Sequence, residues 1–176
     1  MEPKMSRLSF YIVDSTYCDY LRKTDPCVPY TMDKKANRPF VGILLQVNGA
    51  NYYAPLSSPK PKHLAMKNQV DFIKISGGQY GVINLNNMIP IHNNSVRRVN
   101  PTVQAGDSQA EITYKNLLAN QLTWCNSHKV EILNKAQKLY NMIVTGRGYS
   151  QLVARCCNFS LDEQKLNEYC KLNGWA

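Results

Sequence analysis

The chain has 176 residues, of which 44% are hydrophobic, and this is enough apolar material for one well-buried domain. Its formal net charge of +9 is typical of a protein with an anionic partner, most often a nucleic acid. No apolar run reaches the length of about 18 residues that predicts a membrane span, and the N-terminus is not typical of a secretory signal. We therefore expect a cytoplasmic protein without a membrane partner.

The first half of the chain predicts short strands separated by turns. Asp14 or Ser15 can cap a short helix that runs to about Lys23. Asn48-Gly49 predicts a tight hairpin, since both residues accept the positive φ of a type I′ turn. Many short strands with frequent turns predict a small, strongly curved antiparallel barrel. Strands are predicted at 8–13, 40–47, 50–56, 70–75, 80–83, 88–91 and 97–99.

The hydrophobic period changes to that of helices in the second half. Ser108-x-x-Glu111 is a capping box that opens a helix, and a second helix from about Val130 ends at Gly146. Ser160-x-x-Glu163 predicts the start of a third helix. The prediction is one α+β domain over 1–176, with a strand-rich basic part at about 8–100 and a helix-rich part at about 107–174.

The positive charge belongs mainly to the strand-rich part. Residues 1–105 hold 13 Lys and Arg against 6 Asp and Glu, a difference of +7, whereas residues 106–176 hold 8 against 6, a difference of +2. The 6 cysteines form no C-x-x-C pair, and the 3 histidines complete no zinc spacing. We therefore expect reduced thiols, no metal site and no cofactor.

The segment 57–63 concentrates polar chemistry directly after a predicted strand. It places Ser57, Ser58, Lys60, Lys62 and His63 within seven residues, among prolines that stiffen the chain. Since the residue before a proline is restricted, Ser58 and Lys60 are predicted to be extended. A stiff loop with hydroxyl and ammonium groups suits a phosphate, although a proline-rich surface turn with solvated lysines has the same composition.

The remaining residues favour one kind of phosphate chemistry. The chain has no P-loop, no G-x-S-x-G elbow and no carboxylate cluster suited to two metals, which argues against a metal-dependent nuclease. Lysine, arginine, serine and tyrosine can still cleave RNA, because its 2′-hydroxyl is a nucleophile already present in the substrate. Each well-placed donor to the developing charge is typically worth roughly 3–4 kcal/mol.

Five segments carry a family resemblance. They are the aromatic residues of 10–21, RPFVGILL at 38–45, YAPLSSPK at 53–60, GVINLNNMIPI at 81–91 and CNFSL at 157–161. In this order they resemble the endoribonuclease toxins of type III toxin–antitoxin systems, the ToxN, AbiQ and CptN group. The resemblance implies a compact, SH3-like antiparallel barrel with added helices, similar to the MazF and Kid toxins. It also implies metal-independent cleavage of single-stranded RNA that leaves a 2′,3′-cyclic phosphate and a 5′-hydroxyl.

The resemblance further implies a partner. This would be a small repeat-encoded RNA antitoxin that folds as a pseudoknot, which the toxin cuts from its precursor and keeps bound in a closed RNA–protein assembly. Freed toxin would cut cellular and phage RNA, giving growth arrest or abortive infection. No DNA partner is expected.

The family's site residues are carried over by position. Ser57 and Ser58 match its hydroxyl pair, and Lys60 matches its active-site lysine. Arg38 occupies the place of a basic residue that is lysine in some members, and since arginine is no base at ordinary pH it should only hold phosphate. For the family's nearby tyrosine, Tyr30 is the closest tyrosine.

Several neighbouring residues complete the predicted site. Lys34 or Lys35 would grip phosphates with Arg38, and Lys34 also lies where counting back from Arg38 places the family's tyrosine. His63 either extends the RNA groove or acts as general acid. The asparagines after the fifth predicted strand either read bases or satisfy their own backbone. The predicted RNA-binding set is Lys34, Lys35, Arg38, Lys62, His63, Lys67, Asn84 and Asn86.

Two other functions fit the same residues. One is a non-catalytic RNA-binding module, which would show tight, salt-sensitive binding without cleavage. The other is a MazF-like ribonuclease toxin that is neutralised by a protein instead of an RNA.

Overall fold

The computed structural model describes residues 6–175, in which an antiparallel sheet of eight short strands is covered by helices. The strands are β1 (Ser9–Val13), β2 (Phe40–Gly42), β3 (Gln46–Val47), β4 (Ala50–Ser57), β5 (Phe72–Lys74), β6 (Val82–Asn84), β7 (Ile89–Ile91) and β8 (Val96–Arg98). The helices are α1 (Ser15–Arg22), α2 (Pro61–Ala65), α3 (Gln109–Ser127), α4 (Lys129–Val144), α5 (Ser150–Arg155) and α6 (Phe159–Leu172). None of these helices is both long and apolar enough to cross a membrane.

Strand β4 is the centre of the sheet, because both of its edges are paired. Its first half pairs with β3 and β7, so that Asn51 lies opposite both Gln46 and Ile91. Its second half pairs with β2 and with β6, where Ser57 lies opposite Val82. The last residue of β4 is therefore held in the sheet by its pairing with β6.

The sheet is antiparallel as predicted, but it is not closed into a barrel. Its strands follow the order β5-β6-β4-β2-β1-β8, and within residues 6–175 the outer strands β5 and β8 do not pair with each other. Arg97 and Arg98 on β8 are exposed, and short strands with charged side chains are typical of sheet edges. The α+β class is confirmed, whereas the expectation of a closed barrel is wrong.

Most of the predicted turns and caps are confirmed. Asn48 and Gly49 have φ of 51° and 80°, as a type I′ turn requires. Asp14 caps α1 by accepting a hydrogen bond from the Thr16 N–H at 2.9 Å. The Ser108–Glu111 capping box opens α3. Local sequence determines these features, because each depends on residues less than four positions apart.

The predicted capping box at Ser160 is wrong. Helix α6 begins earlier, and Asn158 caps it by accepting from the Leu161 N–H at 3.2 Å. Glu163 instead accepts hydrogen bonds from the hydroxyls of Tyr52 and Tyr140, at 2.6 and 2.7 Å. This carboxylate therefore joins β4, α4 and α6, and tertiary contacts override the local pattern.

The segment after Ser58 also differs from the predicted loop. Lys60 is extended as predicted, with φ of −136° and ψ of 150°, but Pro61 opens the short helix α2. Proline suits the first helical position, since its ring presets φ and its missing N–H has no helical partner there. The Lys74 ammonium donates to the carbonyls of Leu64 and Met66 and so closes the other end of the helix.

A buried carboxyl pair fastens the start of α6 to the loop after α1. Asp25 accepts from the backbone N–H groups of Cys27 and Asn158, at 3.0 and 2.7 Å. Asp162 is 0% exposed, and burial together with the neighbouring Asp25 raises its pKa to about 9. At neutral pH Asp162 is therefore a neutral acid beside the Asp25 carboxyl group.

This pair predicts a pH-dependent free energy of unfolding. The ordinary pKa of the Asp162 carboxyl is 3.8, so between pH 4 and 9 the folded state holds a proton that the unfolded chain has lost. The free energy of unfolding should then fall as pH rises through this window, by up to about 1.4 kcal/mol per pH unit. Asp162→Asn keeps a donor to Asp25 without titrating, and should flatten the slope. Urea denaturation of both proteins at several pH values measures their free energies of unfolding. An equal dependence on pH in the two proteins would contradict the prediction.

Candidate active site

A groove of about 400 Å³ separates the end of β4 from helix α3, within the size range of small-ligand sites. Its sheet side is formed by the 3-10 turn Asp33–Lys35, the chain entering β2 and the chain leaving β4. None of the lining residues, all of which belong to the described part of the chain, is acidic. The charged and polar residues of this side are Lys34, Lys35, Asn37, Arg38, Ser57, Ser58 and Lys60.

The Ser57 hydroxyl is fixed from two sides. Its Oγ accepts a hydrogen bond from Arg38 Nη2 at 3.3 Å and another from Asn84 Nδ2 at 2.9 Å. These two donors occupy both lone pairs of the Ser57 oxygen. The hydroxyl can therefore form a further hydrogen bond only by donating its own proton. Ser57 therefore offers a hydrogen-bond donor to an oxygen that enters the groove.

Arg38 is held in place by the strand that carries Ser57. Its Nε donates to the Leu56 carbonyl at 2.8 Å, and the residue is half-buried. Burial lowers the pKa of Arg38, but a guanidinium stays protonated at any physiological pH. The groove thus contains a fixed positive charge beside a fixed hydroxyl.

The start of β6 passes very close to the serine pair. Gly81 has φ of 92°, and a Cβ atom at this position would collide with the backbone carbonyl of Ser57. Only glycine satisfies both the backbone conformation and the close approach. The position of Ser57 and of the exposed Ser58 therefore depends on this residue.

His63 holds the backbone of Lys60 through hydrogen bonds and does not line the groove. Its ring Nδ1 accepts a hydrogen bond from the backbone N–H of Lys60 at 3.1 Å. The backbone N–H of His63 donates to the Lys60 carbonyl at 2.9 Å. His63 is 2% exposed, and burial together with Lys62 and Lys60 lowers its pKa. A neutral imidazole that accepts at Nδ1 fits a positioning group.

The other predicted basic residues are divided between the groove and its surroundings. Lys34 and Lys35 are exposed and line the groove, whereas Lys62 and Lys67 are exposed outside it. Tyr30 is also outside: its hydroxyl donates to Asp33 Oδ2 at 2.7 Å, which raises its pKa.

The asparagines after β6 bind distant parts of the protein. Asn84 positions Ser57, whereas Asn86 Nδ2 donates to the Arg155 carbonyl at 3.1 Å. Asn87 Nδ2 donates to the Cys27 carbonyl at 2.8 Å. Their amides thus connect the sheet to the loop after α1 and to α5.

Sequence reasoning missed the opposite wall of the groove, which comes from α3. In the structure Tyr114, Leu117, Leu118 and Gln121 line the groove. The signal in the sequence was Gln121, a polar residue at the spacing of the buried positions.

One cluster outside the groove has the chemistry of a metal site. Asp25, Cys157 and Asp162 are buried, and one ligand atom from each lies within 4.8 Å of the others. Both oxygens of Asp25 already accept backbone N–H groups, and burial raises the pKa of the Cys157 thiol. None of the three lines the groove.

The fold and the groove define a basic α+β protein with a preformed, positively charged groove. The chain belongs to the family described as toxin ToxN of type III toxin–antitoxin systems, whose model matches residues 9–167. It is 31% identical to the endoribonuclease ToxN of Bacillus thuringiensis subsp. kurstaki, over 91% of this chain and 83% of that protein. It is also 31% identical to the endoribonuclease ToxN of Pectobacterium atrosepticum, over 93% of this chain and 95% of that protein.

Solved structures show the same likeness. One, which concerns selective toxin inhibition by a non-coding RNA pseudoknot in type III systems, matches with a TM-score of 0.78 and 30% identity, over 93% of this chain and 98% of that one. The structure of AbiQ, a lactococcal anti-phage endoribonuclease of a type III system, matches with a TM-score of 0.81 and 25% identity, over 94% of this chain and 99% of that one.

The hydrogen bonds of Ser57 predict that its neighbours act through it. Ser57→Ala should lower kcat for RNA cleavage by about a hundredfold, because a charge-stabilising donor is lost. Asn84→Ala should lower kcat by about tenfold, because it frees the hydroxyl to rotate. In the double variant the two losses should be less than additive, since Asn84 has nothing left to position. Fully additive losses in single-turnover assays would show that Asn84 acts independently of Ser57.

The contacts of His63 separate a positioning role from acid catalysis. His63→Asn places an oxygen near the position of Nδ1, which can accept from the Lys60 N–H but cannot transfer a proton. We expect this variant to cleave RNA at close to the wild-type rate, and His63→Ala to be slower because the Lys60 N–H loses its partner. A loss of about a hundredfold or more in His63→Asn, with the alkaline limb of the pH–rate profile removed, would identify His63 as the general acid.

Proposed function

We propose that this protein is a metal-independent endoribonuclease toxin that cleaves single-stranded RNA by attack of the 2′-hydroxyl on the adjacent phosphate. The products would carry a 2′,3′-cyclic phosphate and a 5′-hydroxyl. The observation that carries the proposal is the groove itself, which combines Arg38, the serine pair and Lys60 and has no acidic lining residue. The chain is a member of a type III toxin family, and its curated relatives are endoribonucleases.

Substrate binding follows from the charges of the sheet side. Lys34 and Lys35 are exposed on the 3-10 turn, and Lys60 is exposed on the chain that leaves β4. An RNA backbone bound between these two segments would contact lysines of both. Arg38 is fixed at the bottom of this arrangement by its bond to the Leu56 carbonyl. Because the cations are already in place, binding requires little rearrangement of the protein.

Catalysis would follow from the fixed donors. Ser57 donates a hydrogen bond to a non-bridging oxygen of the scissile phosphate. Ser58 contacts the same phosphate or the 2′-hydroxyl. Lys60 stabilises the phosphorane and moves a proton at the reacting oxygens. Arg38 neutralises the negative charge that the phosphorane gains. Such donors act most strongly where charge develops only in the transition state.

The same groove would take the antitoxin. The relative whose inhibition by an RNA pseudoknot has been described shares this fold. We propose that this toxin cuts a repeat-derived precursor RNA and stays bound to the pseudoknot product in a closed RNA–protein assembly in the cytoplasm. Toxin released from it would cleave cellular and phage RNA and so cause growth arrest or abortive infection.

Two structural proposals accompany this function. The curved sheet would correspond to the SH3-like barrel of the MazF and Kid toxins, opened between β5 and β8. Residues 1–176 would act as one endoribonuclease domain, with its strand-rich and helix-rich parts folded together. In support, one apolar cluster includes buried residues from both parts, such as Tyr52 of β4 and Phe159 of α6.

Cleavage of a long RNA in excess EDTA tests the proposed function. The wild-type protein should produce cyclic-phosphate ends, and Lys60→Ala should be slower by about a hundredfold or more, because a donor to the phosphorane is lost. Lys138→Ala removes an exposed lysine of α4 and serves as the matched control, which should cleave normally. Cleavage that EDTA abolishes, or RNA left intact by a folded wild-type protein that still binds it, would overturn the proposal.

A further inference from the structure

Helix α3 places a polar residue on its buried face. Gln121 follows Leu118 and precedes Cys125 in the stripe that packs inward, and it is 2% exposed. Its Nε2 donates to the Tyr80 carbonyl at 2.8 Å. Because a carbonyl only accepts, this bond also fixes which end of the amide faces the other way.

The other end of this amide has no partner within residues 6–175. Gln121 Oε1 is buried and accepts no hydrogen bond from the protein. A buried acceptor without a donor typically costs about 1–3 kcal/mol, so its retention needs an explanation. Gln121 also lines the groove that contains Ser57 and Lys60, which places this side chain beside the proposed site of cleavage.

Tyr114 and Leu117 extend the same wall. Residues 114, 117 and 121 share one helix face, since they are three to four positions apart. Tyr114 is 43% exposed, although a tyrosine ring has a large apolar area to bury. The α3 wall therefore combines an uncovered aromatic ring, an aliphatic side chain and a buried amide with an unsatisfied acceptor, opposite the cations of the sheet side.

This combination matches an unpaired nucleobase. When a phosphate lies on the cationic side, its nucleoside faces α3. Stacking of a base on an aromatic ring is typically worth about 1–3 kcal/mol. An acceptor takes a hydrogen bond from an N–H of the base. Adenine, cytosine and guanine offer an exocyclic amino group at their Watson–Crick edges, whereas uracil offers only its ring N3–H.

We propose that the α3 wall is a base-selecting pocket, in which Tyr114 stacks on the nucleotide beside the scissile phosphate and Gln121 Oε1 accepts a hydrogen bond from its exocyclic amino group. This inference rests on the proposed function, because it places the scissile phosphate at Ser57 and Lys60. It adds a sequence preference at one position of the substrate.

A randomised RNA pool tests the selection. Sequencing of the 5′-hydroxyl ends should show that wild type prefers amino-bearing bases at one position beside the cut. In Gln121→Met this preference should fall by about tenfold, while preferences at other positions remain. Lys60→Ala is the matched control from the opposite wall, and should slow cleavage of all sequences without changing the preferred base.

A substrate analogue isolates the hydrogen bond. At the selected position, replacing adenine by purine deletes only the amino group, and should lower kcat/KM of wild type by about tenfold. The same replacement should change nothing in Gln121→Met, since the acceptor is already gone. If kcat/KM falls equally in both proteins, or in neither, Gln121 does not contact the amino group. A bound water then satisfies its oxygen instead.

Tyr114 provides a second test that does not depend on a buried substitution. Tyr114→Leu should raise KM by about tenfold with little change in kcat, whereas Tyr114→Phe keeps the ring and should behave like wild type. Unchanged KM in Tyr114→Leu would refute the stacking contact. A wild-type protein that cleaves none of these RNAs would refute the proposed function itself, whereas cleavage with an unaltered base preference in Gln121→Met would refute only this inference.

Discussion

The structure depends on strand β4, because it pairs with more strands than any other strand of the sheet. Four other strands pair with it, and its last residue is Ser57. Its tyrosines join the sheet to the helices, since Tyr52 shares the Glu163 carboxylate with Tyr140 and packs its ring edge-on against Phe159. A reactive hydroxyl at the end of such a strand is positioned by the whole sheet and not by a mobile loop.

The groove is preorganised by contacts that leave its donors free. Ser57 receives hydrogen bonds from two neighbours, so its own proton points elsewhere, and Arg38 is held by the Leu56 carbonyl. Lys60 leaves the sheet in an extended conformation that His63 supports through the backbone. Charges fixed in this way would stabilise a developing phosphorane without reorganising, and electrostatic catalysis is most effective under that condition.

The two walls of the groove come from the two halves of the chain and differ in chemistry. The strand-rich half contributes cations and hydroxyls, which suit the RNA backbone and carry no sequence information. The helix-rich half contributes the wall of α3, with an exposed ring and a buried acceptor. Backbone binding and base selection would thus be properties of different elements, which explains why a search for clustered charge finds only the first.

The sequence by itself determined the α+β class, the hairpin at Asn48-Gly49, the caps of α1 and α3, and the segment from Ser57 to Lys60 with its family resemblance, because each depends on short-range backbone preference or on contiguous residues. Only the tertiary structure decided that the sheet stays open, that Asn84 holds Ser57, and that Gln121 faces the groove. These features join residues far apart in the chain: Asn84 and Ser57 are 27 positions apart, and Gln121 and Tyr80 are 41 apart. No local pattern encodes such contacts, since they arise only when strands and helices pack against each other.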